Sequence, residues 1–528
     1  MAKKSSNLEQ KIWALANVLR DNGVSYGDYL EQITYILFLK MYAENAERSA
    51  KGREDKWNVT IPDECTWQTI SVCSGQALIE AYEKALEILS TQENIIGEIY
   101  RNAKNKITKA ANLSKVFATI GDFTLGREKD NLGDIYESLM KRIAEDTKSG
   151  AGQYFTPREL IKVIVECIDP AMDEDERSTK IADPCCGSGG FLLAAKEHLD
   201  KKGYSKSVNE AISKDVFSGN EIVDSTLRTC LMNLVLHGIS NFDGKSPISH
   251  EDSLANEPKL KVDYVLTNPP FGAKSSIEEQ VEKKDKDGNT VLDKDGNPVF
   301  IKSKGDQYNR QDFFVKTTNK QANFVQHIIS MLKVNGKAAV VLPDDILFKT
   351  DNAYAELRKR LFTVCKLHTI LRLPSGIFYA HGVKANVLFF DKAPAQVYSD
   401  KANVEAKPAT KEIWFFDYRT GIKHTLKQNP LKKEHLDDFV QCYKAADRNS
   451  APQTYHADTN PNGRWRKYSI DEILQRDKYS LDITWIKETS EDDDKSLAQI
   501  MTDIKHKSQS LAAAVGELER LFADINDA

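Results

Sequence analysis

Beyond Gly150, short β-branched runs alternate with stretches of helical spacing, and few architectures accept that alternation. Lys180-Ile-Ala-Asp183, Val262-Asp-Tyr-Val-Leu266 and Ala338-Ala-Val-Val-Leu342 read as buried strands, and a further strand is expected over 215–220. The pattern predicts an α/β fold, a doubly wound parallel sheet with helices on both faces. At 528 residues the chain has room for more than this one domain. Leu30, Ile33, Ile36, Leu37 and Met41 recur at helical spacing, and helical patterns resume at 76–100 and 130–146. The expected layout is an N-terminal helical domain over 1–148, the sheet domain over 149–392, an extension of it over 393–489, and a helical tail over 490–528.

Hydrophobic residues make up 41% of the chain and charged residues 29%, with both signs mixed, the composition of a soluble globular protein and not by default of a disordered one. No apolar run reaches the roughly 18 residues needed to cross a bilayer, and the N-terminus has no apolar signal core, so a cytoplasmic location is expected. The eight cysteines are scattered, and the adjacent pair Cys185-Cys186 lacks the two-residue gap of a zinc-binding CxxC. Neither a metal site nor a disulfide framework is expected. A formal net charge of −5 gives the whole chain no attraction for a polyanion such as nucleic acid, so any binding of that kind needs a local basic face or a partner.

The segment 275–312 breaks the alternation and repeats Asp285-Lys-Asp-Gly-Asn289 as Asp293-Lys-Asp-Gly-Asn297. An EF-hand would need a glycine at the sixth position and a distant glutamate, and the spacing supplies neither. Asp-Gly and Gly-Asn steps between short strands favour a surface hairpin insertion. At the other end of the chain, Leu497, Ile504, Leu511, Leu518 and Ile525 lie seven apart, and Met501, Ser508, Val515 and Phe522 form a second such series. This is a heptad seam that needs a second helix, from a partner or from the chain's own helices.

Thr267-Asn268-Pro269-Pro270-Phe271-Gly272 follows the apolar run 262–266 directly, where open parallel sheets bind their ligands. The motif is also a plain strand-ending turn, since two prolines hold the backbone extended. Its chemistry is more informative. An exocyclic amine of a base is a poor nucleophile because its lone pair is delocalised into the ring. The Asn268 side-chain carbonyl and the Pro269 backbone carbonyl can accept both amine N–H groups and localise that pair as positive charge builds. Phe271 offers a ring on which a planar base can stack.

Upstream, Ile181-Ala-Asp-Pro-Cys-Cys-Gly-Ser-Gly-Gly-Phe191 ends a strand and opens a helix, with Gly187, Gly189 and Gly190 allowing a tight turn and close ligand approach. It lacks the GxGxxG spacing of a dinucleotide loop and the Gly-Lys-Ser/Thr of a P-loop. Glu221 follows about 30 residues on, at the end of the next strand, where it can hold a ribose diol. Asp252 ends the following unit and can accept from an adenine amine. Either acid alone reads equally as a loop carboxylate, and their order gives them meaning. In Gly150-Ala-Gly-Gln-Tyr-Phe-Thr-Pro-Arg-Glu159, Thr156 is expected to cap a helix whose first turn holds Pro157. Such a helix start can bind a carboxylate, for example that of a methionine moiety.

The order Gly-Gln-Tyr-Phe-Thr-Pro, Asp-Pro-Cys-Cys-Gly-Ser-Gly-Gly-Phe, Asn-Pro-Pro-Phe resembles the gamma-ordered amino-methyltransferases. The stretches 319–328, 341–348 and 371–390 narrow the resemblance to the modification subunits of type I restriction–modification systems. It covers roughly 7–392 and, more loosely, the region from Trp465 to Trp485 and the tail. It implies a seven-stranded S-adenosylmethionine-dependent methyltransferase sheet of Rossmann-like type, a helical N-terminal domain, and N6 methylation of adenine in DNA. Implied partners are DNA, a specificity subunit, a second copy of the chain and a separate restriction endonuclease or motor subunit. The candidate catalytic residues are Asn268, Pro269, Pro270 and Phe271. The candidate cofactor-binding residues are Tyr154, Phe155, Thr156, Asp183, Gly187, Ser188, Gly189, Gly190, Glu221 and Asp252. Cys185-Cys186 departs from the Ala-Cys common in the family, a small change in a loop that keeps its glycines. On chemistry alone, methylation of RNA or of a protein glutamine, and a non-catalytic subunit, are the competing readings.

Overall fold

In the computed structural model, the described residues are 26–50, 61–122, 156–173, 179–239, 246–271, 280–282, 300–302, 308, 310–378, 384–394, 407–425, 429–443, 452–486 and four positions of the tail. Their centre is a mixed sheet. Its strands in chain order are β1 (Ile181–Asp183), β2 (Phe217–Asn220), β3 (Ile248–Ser249), β4 (Val262–Thr267), β7 (Leu332–Pro343), β8 (Cys365–Arg372), β9 (Ala385–Lys392), β10 (Glu412–Asp417) and β11 (Trp465–Ser469). The remaining pair, β5 (Gln280–Glu282) and β6 (Phe300–Lys302), forms a separate antiparallel ribbon. That pairing fits the expected hairpin, while both Asp-Gly repeats lie outside the described residues.

The strand order is β11-β10-β8-β9-β7-β4-β1-β2-β3, nine strands where the resemblance implies seven. At one end of the sheet β10 runs parallel to β8, and β11 antiparallel to β10. The short run Ile413-Trp-Phe-Phe416 is buried, and Trp414 stacks on Trp465 of the neighbouring strand with ring centroids 4.7 Å apart. The segment expected only to extend the sheet domain therefore completes its sheet. From β3 to β7 all neighbours run parallel, whereas β9 runs antiparallel to both β7 and β8.

Parallel strands covered on both faces carry apolar residues at successive positions. In β4, Val265 packs into one core and Leu266 into the other; in β7, Val340 and Val341 divide in the same way. One core contains Leu160, Phe191 and Leu231 from helices on its face, and also Tyr29, Tyr82 and Phe117 from the N-terminal helices. Those helices are Tyr26–Ala50, Gly75–Ser90 and Ala110–Gly121, joined by the short Ile95–Ile99. Arg228, nearly buried, ties them to the sheet domain: Nε donates to Ile99 O at 2.9 Å, Nη2 to Arg101 O at 2.9 Å, and Nη1 to Glu31. The opposite core contains Ile328, Leu357 and Leu361 from helices Lys320–Met331 and Asn352–Val364.

The helical pattern expected at 130–146 lies outside the described residues, as does most of the heptad tail; Met501 is helical and exposed. Among the described residues no helix is long and apolar enough to cross a membrane.

Candidate active site

β1, β2, β3 and β4 are parallel, so their carboxyl ends meet along one edge of the sheet. Asp183, Glu221, Asp252 and Asn268 stand at or just beyond those ends, in the order expected from the sequence. Between β1 and helix Gly190–Asp200 the chain turns through Gly187 (φ +55°) and Gly189 (φ +82°). A Cβ on Gly187 would meet nothing within 4 Å, so this turn opens towards the cleft. On its other side, a Cβ on Gly189 would lie 3.1 Å from Cys230 Sγ. Helix Asp224–Leu236 thus backs the turn, and Asn233 Nδ2 on the same helix donates to Ser188 O at 2.9 Å.

The buried Glu221 carboxylate accepts from Gly187 N at 3.0 Å and from Val223 N at 2.9 Å. These bonds fix the acid beside the open turn, and an ionised carboxylate has about four acceptor positions, so it can still take a diol. The next residue, Ile222, is 59% exposed and presents an apolar surface next to that acid.

Asp183 is buried and joins β1 to β4: its Oδ1 accepts from Thr267 Oγ1 at 2.6 Å and from Cys185 N at 3.0 Å. Cys185 Sγ, 2.9 Å from Thr267 Oγ1, completes the chain by donating to that hydroxyl. Burial pushes the Asp183 carboxyl up to about 7, opposed by the donors Thr267 and Cys185. Between its ordinary 3.8 and about 7 the folded protein therefore holds a proton that the unfolded chain has lost. Native stability therefore falls as pH rises through that window. Asp183→Asn keeps the acceptor and removes the titration. Its melting temperature relative to the parent should rise steadily from pH 4 to pH 7; a pH-independent difference would show that Asp183 ionises normally.

Asp252 accepts from Leu254 N at 2.9 Å and from the Tyr308 hydroxyl at 2.8 Å. Tyr308 was not among the residues read from the sequence, nor was Arg310, which is 8% exposed. Arg310 donates to Ser253 O at 3.3 Å, bonds Asp312 and lies over the Phe313 ring at 4.1 Å. It also donates to His327 Nδ1 at 2.8 Å, and burial holds that imidazole down at about 3, hence neutral and able to accept. The end of the segment expected as a surface insertion is thus buried against the site. Leu254, Phe313 and Phe324 form a small apolar cluster with Cys185 and Tyr308 packed against it, beside Asp252.

Asn268 follows β4 with its side chain half-buried. Its Nδ2 donates to Thr156 Oγ1 at 2.8 Å, while Oδ1 is enclosed with no hydrogen-bond partner among the described residues. Leaving a buried acceptor unpaired costs about 1–3 kcal/mol, so such an atom is the mark of an absent donor. Phe271 meets Phe378 edge to face at 5.6 Å. The expected cap is not formed: the N-cap of helix Arg158–Ile168 is Pro157, without a side-chain cap bond. The Thr156 hydroxyl oxygen accepts from Asn268 Nδ2 instead. Tyr154 and Phe155 lie outside the described residues.

The arrangement offers two carboxylates beside apolar walls, an open backbone turn and an enclosed amide carbonyl, which together suit a nucleoside-containing cofactor and an amine substrate. Comparison with known proteins decides between the possible amines. The family model described as N-6 DNA Methylase matches residues 127–495, and the HsdM N-terminal domain model matches 8–120. The StySPI type I restriction enzyme methylase subunit of Salmonella potsdam is 32% identical, covering 99% of this chain and 96% of the relative.

The chain belongs to the type I N-6 DNA methylases.

The EcoKI methylase subunit of Escherichia coli K12 is 31% identical with the same coverage. A chain from a solved structure of a type I restriction–modification system superposes with a TM-score of 0.68, at 21% identity and 99% coverage of both chains, which shows the shared fold. This methylase transfers a methyl group from S-adenosylmethionine to N6 of adenine in DNA. The open turn at Gly187, the fixed carboxylate of Glu221 and the apolar surfaces at Ile222 and around Phe313 fit that cofactor, and the unpaired Asn268 carbonyl fits the adenine amine.

Proposed function

We propose that Asn268 Oδ1 and the Pro269 carbonyl accept the two N6 hydrogens of an extruded adenine, with Pro270 holding the loop rigid and Phe271 stacking against the base. The observation that carries this reading is the enclosed, unpartnered Asn268 carbonyl at the carboxyl end of β4. Two acceptors draw the amine towards sp³ geometry and stabilise the positive charge that develops on nitrogen. S-adenosylmethionine supplies the electrophilic methyl group. The chain's part is to hold it: Gly187, Ser188, Gly189 and Gly190 admit it to the backbone, Glu221 takes the ribose, Asp252 the adenine amine, and Asp183 fixes the turn. Thr156, just before helix Arg158–Ile168, takes its methionine end. The seven strands from β3 to β8 in sheet order form the methyltransferase unit, and β10 with β11 extends it.

The assembly reading rests on the net charge of −5 and on the heptad seam. In this proposal the methylase works in the cytoplasm, two copies with one specificity subunit that reads the DNA sequence, joined by a restriction subunit. The heptad segment 496–526 docks on the specificity subunit through its seam positions Ile504, Leu511 and Leu518. The test is transfer of labelled methyl groups to unmethylated bacterial DNA by the co-purified complex, with the product identified after digestion to nucleosides. N6-methyladenine is expected. Deleting 490–528 should leave S-adenosylmethionine binding intact and abolish both co-purification and methylation. A truncated chain that still co-purified at full stoichiometry would move the docking surface elsewhere.

A further inference from the structure

We infer that Tyr308 is a specificity-determining residue for the cofactor, holding the Asp252 carboxylate in the orientation that takes the adenine amine. An acid that reads one amine has to be fixed at both oxygens, because a carboxylate free to rotate offers its lone pairs to any donor. Leu254 N donates to Asp252 Oδ1 at 2.9 Å, and the Tyr308 hydroxyl donates to Oδ2 at 2.8 Å. Chemistry fixes the direction of the second bond, since a carboxylate only accepts. Burial, together with the bond to Asp252, pushes the Tyr308 phenol above its ordinary 10, so it keeps the proton it donates. Each carboxylate oxygen retains a second acceptor position for a ligand.

The bond joins residues 56 positions apart, and the chain around Tyr308 is anchored to keep it. Two residues on, the buried Arg310 donates to Ser253 O at 3.3 Å, next to Asp252, and to His327 Nδ1 at 2.8 Å on helix Lys320–Met331. Ser253 Oγ in turn donates to Pro184 O, which ties the loop of the acid to the glycine turn. Tyr308 itself packs against Leu254, Phe313 and Phe324, an apolar wall beside the acid that suits the face of a purine. The end of the 275–312 segment thus contributes a side chain to cofactor selection. This role rests on the reading of Asp252 as the acceptor of the adenine amine and goes beyond it by naming what gives that acid its direction.

The experiment uses the full methylase co-purified with its specificity subunit, in parent, Tyr308→Phe, Asp252→Ala and doubly substituted forms. Calorimetry measures the affinity of each for S-adenosylhomocysteine and for its analogue with hydrogen in place of the adenine amine. The parent should prefer the amine-bearing ligand by about tenfold or more, the worth of one hydrogen bond to a charged group. Phenylalanine keeps the ring and removes the donor. Affinity for S-adenosylhomocysteine should therefore fall about threefold to tenfold, while affinity for the analogue stays within about twofold of the parent. Asp252→Ala should abolish the preference, and adding Tyr308→Phe should then change it no further.

Equal weakening of both ligands in Tyr308→Phe would overturn the inference and make Tyr308 a packing residue. An unaltered preference in Tyr308→Phe, beside its loss in Asp252→Ala, would overturn the inference alone. A preference that survives Asp252→Ala, or a parent that shows none, would overturn the reading of Asp252 beneath it.

Discussion

Replacing Asn268 by alanine should cut methyl transfer by about 10²-fold or more while leaving S-adenosylmethionine affinity within about twofold. The side chain is short and its amide N–H is engaged by Thr156, so truncation removes one acceptor and opens little space. None of the bonds that shape the glycine turn passes through it: Glu221 holds Gly187 N, Asn233 holds Ser188 O, and Thr267 and Cys185 hold Asp183. The loss should therefore fall on the maximal rate, because the interaction strengthens only as the amine gains positive charge. Single-turnover methylation and calorimetry on the assembled enzyme separate the two quantities. A variant with parental turnover would exclude Asn268 from the chemistry, and one that failed to bind cofactor would make it a structural residue of the cleft.

Gly219→Ala should abolish measurable cofactor binding for a different reason. Gly219 lies in β2 opposite Asp183 of β1, and a Cβ there would stand 2.3 Å from Cys186 Sγ and 2.4 Å from the Asp183 carbonyl oxygen. The sulfur could rotate away, but the carbonyl belongs to a central strand whose next peptide begins the glycine turn. Relief requires β1 and β2 to separate just where Cys186 N bonds Asn220 O at 3.0 Å and Gly187 N bonds Glu221. Overpacking of this kind costs about 1–3 kcal/mol, and more where backbone must move. We expect a lowered melting temperature and a loss of cofactor affinity well above about tenfold, since the turn and its carboxylate shift together. Calorimetry and thermal unfolding of the purified variant test this; unchanged values in both would mean that the two strands are looser than the register implies.

The strand ends and turns that the sequence announces share one property: their signal is local. A strand that ends in Asp183 and turns through Gly187 and Gly189, or one that ends at Asn268 between a threonine and two prolines, announces itself within a dozen residues. Glu221 and Asp252 became visible through chain order alone. What escaped depends on contacts across long separations. Thr156 looked like a helix cap because Thr-Pro before an apolar stripe usually is one; that its hydroxyl serves Asn268, 112 positions away, is a tertiary fact. Tyr308 and Arg310 sat at the end of a polar, repeat-bearing segment, and nothing local distinguishes an arginine stacked on Phe313 and bonded to His327 from one in solvent. The strands β10 and β11 were missed because each is short, and their burial comes from β8 and from the stacking of Trp414 on Trp465. The resemblance implied seven strands, and the sheet has nine.

The position of β9 has a consequence for how the nascent polypeptide reaches this state. β9 lies between β7 and β8 in the sheet but follows both in the chain, so β8 leaves the ribosome before the strand that must separate it from β7. Until residues 385–392 emerge, two apolar strand edges face each other with nothing to pair them correctly. The alternative pairings within that interval are with each other or with a neighbouring nascent chain, and both are traps of the kind that hold back larger α/β proteins. Sheet closure is then postponed again, until β11 at Trp465–Ser469 covers the outer edge of β10. Translation pauses and chaperone contact should matter most during the interval in which β8 has emerged and β9 has not.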